Sequence, residues 1–192
     1  DWTILPTKPN SWITVFDPAP TCVHNQNTIG LMLLCIVLFS IGVQMAHPEA
    51  LVINVAGEAS WLMNMQEMGT AVQYRLPVKQ FILNNERLGM VRQWQELLHG
   101  ARYAESYTDS LPDFVKLAEA FGAKGILCDN PDDLDEAIKE MLAFDGPVIL
   151  DCIVEKHENC FPMIPSGEPH NKMLLGEASA KDAIKEGGAV LV

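Results

Sequence analysis

The sequence predicts a doubly wound α/β fold, a three-layer sandwich in which helices cover both faces of a mainly parallel sheet. From residue 48 onward, short apolar runs typical of buried strands alternate with segments of helical periodicity. Strands separated by helices pair in parallel, and parallel sheets are buried on both faces. With 192 residues, 48% of them apolar, the chain can bury a core of ordinary size.

Four strands are predicted from apolar runs that end in turn-forming residues. In chain order they are Leu51–Val55, Val78–Leu83, Gly125–Cys128 and Val148–Val154. All four have the length and composition of strands rather than helices. The central part of the chain should therefore form one parallel sheet.

Four helices are predicted between these strands. They are Met63–Tyr74, Met90–Leu98, Leu111–Phe121 and a helix running from Asn130 to Leu142. The third has the clearest apolar stripe, which includes Phe114 and Phe121, and it ends at Gly122. The fourth should begin with Asn130 as its N-cap.

The two ends of the chain differ from this regular part. Residues 1–40 form an atypical N-terminal segment, mostly loop as far as Asn27, that contains the start of the apolar run Ile29–Val43. That run is too short for a bilayer span and lacks flanking Lys or Arg, so we expect a buried helix. Residues 41–165 form the main domain, and residues 166–192 are expected to be a surface tail with a frayed end.

Charge and cysteine content limit the function classes. The chain has 13 Lys and Arg against 25 Asp and Glu, a net charge of −12, which disfavours nucleic acid as a partner. The five cysteines show no metal-binding spacing. Free thiols of this kind are expected in a reducing cytoplasm.

Polar residues follow the first two predicted strands. Gly57, Glu58, Ala59 and Ser60 come after one strand, and the segment Asn84–Arg87 comes after the next. In open parallel sheets, ligands bind outside the carboxyl ends of the strands. A carboxylate, an amide oxygen and a backbone carbonyl suit Mg²⁺, which completes its shell with phosphate oxygens and water. The pattern indicates a site for Mg²⁺ and a diphosphate, although ordinary loop chemistry explains both turns as well.

Residues 51–175 resemble the C-terminal thiamine diphosphate-binding domain of acetohydroxyacid synthase (acetolactate synthase) large subunits. The resemblance rests on VINVAGEASWLMNMQEMG, on LPVKQFILNNERLGMVRQWQ, on SYTDSLPDFVKLAEAFGAKGI and on ENCFPMIPSG. The string Gly89–Gln95 is the most specific to this family. The resemblance implies the thiamine diphosphate-binding fold for residues 41–165.

The resemblance also implies site residues. The metal ligands would be Glu58, Asn85 and the backbone carbonyl of Arg87. The residues facing the cofactor would be Gly57, Ala59, Ser60, Gly89 and Met90. Met90 and Trp94 would line the substrate channel, although each is equally well explained as core filling or as a helix anchor. No catalytic residue is expected in this chain, because the family's activating glutamate belongs to a separate N-terminal domain.

The implied activity is condensation of pyruvate with a second 2-oxoacid, such as 2-oxobutyrate, in branched-chain amino-acid biosynthesis. The implied cofactors are thiamine diphosphate and Mg²⁺, with FAD in the central domain of the full-length enzyme but not in this one. The implied partners are those missing domains and a homodimer or tetramer with a small regulatory subunit. We therefore expect the isolated chain to be inactive.

Two departures from the family keep other readings open. A glycine-rich stretch expected after KPNSWIT is absent, and Glu58 stands where the family has aspartate. The alternatives are another thiamine diphosphate-dependent lyase or oxidase, which Gly89–Gln95 disfavours, and a non-catalytic remnant that keeps only the fold. Loss of cofactor binding would distinguish the remnant from both enzymes.

Overall fold

The computed structural model describes residues 12–16, 36–165 and 168–176. Within these residues, five strands form one sheet in the order β1-β2-β3-β5-β4, and every pairing is parallel. The strands are β1 (Trp12–Phe16), β2 (Leu51–Gly57), β3 (Lys79–Asn84), β4 (Lys124–Cys128) and β5 (Val148–Ile153). The predicted fold class is confirmed, and the four predicted strands lie within one or two residues of β2 to β5.

Strand β1 is a correction to the sequence prediction. The region through Asn27 is predicted to be mostly loop, but Trp12–Phe16 pairs in parallel with Leu51–Val55. All five residues of β1 are aromatic or β-branched, and such residues favour extended structure. The rest of the first 27 residues, like residues 29–35 of the apolar run, lie outside the described residues.

Six helices and three 3₁₀ turns connect the strands in the described part of the chain. The helices are α1 (Ile36–Ala46), α2 (Glu58–Leu62), α3 (Met68–Gln73), α4 (Gly89–Leu98), α5 (Phe114–Phe121) and α6 (Leu134–Ala143). The 3₁₀ turns are Met65–Glu67, Pro131–Asp133 and His170–Lys172.

The prediction of one helix over Met63–Tyr74 is wrong. The chain leaves helical geometry at Asn64, where φ is −131°, and a 3₁₀ turn separates α2 from α3. The Asn64 side chain donates a hydrogen bond to the Met63 carbonyl at 2.7 Å. Asparagine often interrupts a helix in this way, because its amide competes for nearby backbone groups.

Side-chain caps determine where two other helices begin. Helix α5 begins at Phe114 rather than at Leu111, because Asp113 is the N-cap and its Oδ1 accepts a hydrogen bond from the Lys116 amide at 3.0 Å. Asn130 caps the next helical segment as predicted, accepting from the Asp132 amide at 3.2 Å. The first turn there is 3₁₀, and α6 follows it.

Helices cover both faces of the sheet. On one face, α1, α2, α3 and α5 bury an apolar cluster that includes Trp61 and Phe114, whose rings meet edge to face at 5.7 Å. On the other face, α6 packs through Met141 against the β4 and β5 side chains. Neighbouring residues of β5 alternate between the two clusters, with Ile149 in the first and Leu150 in the second. This arrangement is the predicted three-layer sandwich.

Helix α1 accounts for the described part of the apolar run. Ile36, Val37 and Ile41 are buried against the sheet, whereas Leu38 and Met45 are about half exposed. The predicted buried helix is confirmed for the described residues of the run, as a helix with one buried face. Among the described residues, no helix has the length and apolar character needed to cross a bilayer.

Helix α4 is tied to the segment that follows β5. The Arg92 guanidinium donates to the His157 and Glu158 carbonyls at 3.2 and 3.0 Å and to Asn159 Oδ1 at 2.7 Å. The Gln93 side chain donates to the Cys160 carbonyl at 3.0 Å and accepts from its amide at 2.7 Å. The division of the chain at residues 40 and 165 stays a prediction.

Candidate cofactor and metal site

The carboxyl edge of the sheet brings the two predicted polar loops together. Strands β2 and β3 are neighbours, and their register pairs Gly57 with Leu83. Glu58 and Asn85 follow these paired positions within one and two residues. The two candidate metal ligands therefore leave adjacent strands at the same edge, as the sequence predicts.

Glu58 is buried, and one of its carboxylate oxygens lacks a partner. Its Oε1 accepts a hydrogen bond from the Thr108 hydroxyl at 3.1 Å, whereas Oε2 is buried without any hydrogen bond. Burial raises the pKa of Glu58, and part of that rise is offset by the Thr108 hydroxyl and by the nearby backbone amides of Glu58, Asn85 and Arg87, none of which reaches a carboxylate oxygen with hydrogen-bond geometry. A buried carboxylate oxygen without a donor is costly, and a cation would satisfy it.

The Asn84–Arg87 loop is held by its own side chains. Asn84 Oδ1 accepts from the Glu86 amide at 3.2 Å, and Asn85 Oδ1 accepts from the Arg87 amide at 3.1 Å. Glu86 adopts a left-handed conformation with φ of 53° and forms an ion pair with Lys156. The Asn85 oxygen is thus held by the second of two consecutive side-chain turns.

Gly89 allows α4 to begin close to Asn85. A Cβ atom at this position would lie 3.1 Å from Asn85 Nδ2, which is tighter than normal contact. A larger residue at position 89 would therefore force the Asn85 side-chain amide to shift by a few tenths of an ångström. Gly89 therefore leaves room for the Asn85 side chain, and its predicted position facing the cofactor stays a prediction.

The oxygens at this edge fit a hard divalent cation. Glu58 Oε2 has no partner, Asn85 Oδ1 retains a second lone pair, and the Arg87 carbonyl belongs to the same loop. Mg²⁺ accepts such a set when a diphosphate and water complete its shell. Within the described residues, no group of three or more His, Cys, Asp or Glu could hold a metal. An ion here would therefore depend on amide, carbonyl and ligand oxygens.

Helix α2 begins at the same edge. Gly57 is its N-cap, with extended geometry and no side chain to occupy the first-turn amides. The Ala59 and Ser60 amides follow directly and belong to the four N–H groups that a helix start leaves without an internal partner. These donors stand beside Glu58, where a diphosphate oxygen would need them.

Met90 and Trp94 share a cavity on the outer side of α4. The open cavity has a volume of about 550 Å³ and is lined by Met90, Val91, Trp94, Gln95, His99 and Arg102. The two predicted channel residues are therefore brought together, but Glu58 and Asn85 do not line this cavity. Trp94 also packs against the buried cluster of Leu97 and Met163. The indole thus serves as a helix anchor and as part of the cavity wall.

Thr108 is the site residue that the sequence did not reveal. It lies 50 positions after Glu58, in a loop without periodicity. Two backbone hydrogen bonds of 3.0 Å dock this loop on the Glu86–Leu88 segment, from the Leu88 amide to the Ser106 carbonyl and from the Thr108 amide to the Glu86 carbonyl. No local pattern signals a contact that tertiary structure creates at this sequence distance.

Comparisons with known proteins agree with the observed fold. The family described as thiamine pyrophosphate enzyme, C-terminal TPP binding domain, matches residues 16–152. The acetolactate synthase large subunit of Porphyra purpurea is 48% identical over 136 residues, which are 70% of this chain and 23% of that protein. The acetolactate synthase isozyme 2 large subunit of Escherichia coli (strain K12) is 41% identical over 135 residues, 70% of this chain and 25% of that protein.

A solved structure shares the fold. The thiamine diphosphate-dependent 4-hydroxybenzoylformate decarboxylase of Rhodococcus jostii RHA1 superposes with a TM-score of 0.66 at 26% identity, covering 79% of this chain and 30% of that one. This chain spans about a quarter of the length of the two synthases.

Proposed function

Since this chain belongs to the thiamine pyrophosphate enzyme family through its C-terminal TPP binding domain, we propose that it is the cofactor-binding portion of an acetolactate synthase. The observation that carries the proposal is the pairing of Glu58 and Asn85 at one sheet edge. The unpartnered Glu58 Oε2 gives this pair a reason to bind a cation. A remnant that kept only the fold would have no need to bury a carboxylate oxygen in this way.

The chain's own residues would bind and orient the cofactor. Glu58, Asn85 and the Arg87 carbonyl would hold Mg²⁺ against the diphosphate, and the Ala59 and Ser60 amides would donate to its oxygens. When bound, thiamine diphosphate supplies the carbon nucleophile that 2-oxoacid chemistry requires, while the protein supplies binding and orientation.

The substrates in this proposal are pyruvate and a second 2-oxoacid such as 2-oxobutyrate. The cavity beside Met90 and Trp94 is mostly apolar, which suits the short alkyl group of such an acid, and Arg102 lies at the same cavity. The activating glutamate and the FAD would come from other domains, in an oligomer with a regulatory subunit.

We also propose that the protein works in a reducing compartment such as the cytoplasm. The three cysteines within the described residues, Cys128, Cys152 and Cys160, are free thiols. Burial raises the pKa of Cys152 to about 11, which keeps that thiol protonated.

Calorimetric titration of the purified chain with thiamine diphosphate, with and without Mg²⁺, tests the proposal. We expect binding that requires the metal and that Asn85→Ala weakens at least about tenfold, which is about 1.4 kcal/mol. Asn171→Ala, at an exposed position in the 3₁₀ turn after Pro169, is the matched control and should bind as the unaltered chain does. A titration without heat or any Mg²⁺ dependence would favour the non-catalytic remnant.

A further inference from the structure

We propose that Thr108 is a positioning residue for the cation, which holds Glu58 so that a single carboxylate oxygen faces the metal. The inference rests on the proposed function, because it assigns Thr108 a role at the same Mg²⁺ site. It concerns a residue that does not itself touch the ion.

A glutamate at this position has one rotatable bond more than an aspartate. Each free torsion adds conformational entropy that must be lost when the side chain is fixed. Mg²⁺ tolerates little departure from octahedral geometry at short metal–oxygen distances. A longer carboxylate therefore needs an external contact to define where its oxygens lie.

Thr108 provides that contact. Its hydroxyl donates to Glu58 Oε1 at 3.1 Å, and this is the partner that the described side chains offer to that carboxylate. Oε2 is left buried and unpartnered. Thr108 thus holds Oε1, and Oε2 is the carboxylate oxygen that remains available to bind the metal.

The Thr108 hydroxyl is itself fixed by the loop that bears the other ligands. The Thr108 amide donates to the Glu86 carbonyl, and Arg87 forms an antiparallel bridge with Tyr107. Asn85 and the Arg87 carbonyl therefore belong to the same docked unit as Thr108. Through this unit, the position of Glu58 is set relative to the remaining ligands, as outer-shell partners set the ligands of other metal sites.

The test is metal binding by a series of Thr108 variants of the whole chain. Mn²⁺ replaces Mg²⁺ and its binding in the presence of thiamine diphosphate is followed by electron paramagnetic resonance. We expect Thr108→Val to weaken Mn²⁺ binding by about 10- to 100-fold, the usual effect of removing an outer-shell partner. Thr108→Ser keeps the hydroxyl and should restore binding to within about threefold of the unaltered chain, a small fraction of that range.

Thr70→Val, the same chemical change on α3, is the matched control and should leave Mn²⁺ binding unchanged. Thermal unfolding of the metal-free variants accompanies each titration. Loss of binding that the serine variant does not restore would mean that Thr108 acts through the fold of the loop, and this would overturn the inference.

A double-mutant cycle with Glu58→Asp separates positioning from stability. The aspartate carboxylate is drawn back by about 1.5 Å, one carbon–carbon bond, which takes it beyond hydrogen-bond reach of Thr108. In that background Thr108→Val should therefore change Mn²⁺ binding less than about twofold, since the contact is already lost. An equal loss in both backgrounds would overturn the inference.

The outcomes also separate this inference from the proposed function. If the unaltered chain binds Mn²⁺ with the cofactor and Thr108→Val binds equally well, the positioning role is wrong and the proposed function stands. If the unaltered chain binds neither metal nor cofactor, both are wrong.

Discussion

Replacing Glu58 by glutamine should stabilise the metal-free protein while it abolishes metal binding. The buried Oε2 atom carries part of a charge without a hydrogen-bond donor, whereas glutamine places a neutral amide in the same volume and keeps an oxygen for Thr108. An unpartnered buried charge costs more than an unpartnered neutral group. We expect Glu58→Gln to raise the free energy of unfolding by about 1–2 kcal/mol at neutral pH without metal.

The difference in free energy of unfolding between Glu58→Gln and the unaltered chain should grow as the pH rises. Burial raises the pKa of Glu58 above its ordinary value of 4.5, so the folded chain retains a proton that the unfolded chain has released. The stability of the unaltered, metal-free protein therefore falls as the pH rises through that interval. Glutamine lacks this titration. The advantage of the variant should vanish below about pH 4.5 and reach its full size above the raised pKa.

With Mg²⁺ and thiamine diphosphate present, the unaltered chain should become the more stable of the two proteins. Cofactor and metal at 100 times their dissociation constant add about 2.7 kcal/mol to the stability of a chain that binds them, and nothing to one that does not. Urea unfolding followed by circular dichroism measures the effect of the substitution in chelator and the stabilisation by ligand in Mg²⁺ and thiamine diphosphate. Glu49→Gln, at an exposed position, is the control and should change neither. A Glu58→Gln protein that is less stable than the unaltered chain in chelator would refute the reasoning.

Two further predictions concern the scaffold. The Lys79 ammonium donates to the Phe144 and Gly146 carbonyls at 2.6 and 2.8 Å, and burial lowers its pKa to about 8. Because the unfolded chain binds more protons between about pH 8 and 10.5, urea unfolding should show stability rising with pH in that window, and Lys79→Met should lack this rise. Gly125→Ala would bring a Cβ within 2.7 Å of the Val115 backbone and should destabilise the fold by about 1–3 kcal/mol. Gly69→Ala, with open space around its Cβ in α3, should instead stabilise it by up to about 1 kcal/mol; equal unfolding midpoints for these two variants would contradict the packing argument.

The order of strands and helices was predictable because its signals are local. Apolar runs mark β2 to β5, and the stripe of α5 and the cap at Asn130 define helices without reference to the rest of the chain. Strand β1 was missed because the prolines around it indicate loop, whereas its pairing with β2 is a long-range contact. The break at Asn64 was missed because apolar periodicity continues across it while the backbone does not.

In the candidate site too, the features with local sequence signals could be predicted and those that depend on long-range contacts could not. Glu58 and Asn85 could be predicted as neighbours, since each follows a strand and parallel strands end at one edge. The contact between Thr108 and Glu58 could not be predicted, because it depends on how an irregular loop docks on Glu86–Leu88. The resemblance to a family supplied the identity of the cofactor, which the spacing of polar residues alone left open.

Helix α4 lies between the segment that follows β5 and the cavity lined by Met90 and Trp94. One side of this helix is joined through Arg92 to the backbone of His157 and Glu158, and the other side bears Met90 and Trp94 at the cavity wall. Helix α4 has only ten residues, so a displacement of the segment His157–Glu158 that pulled on Arg92 would also move the Trp94 indole. Any contact that shifts the segment after β5 would therefore also change the width of the cavity that Met90 and Trp94 line.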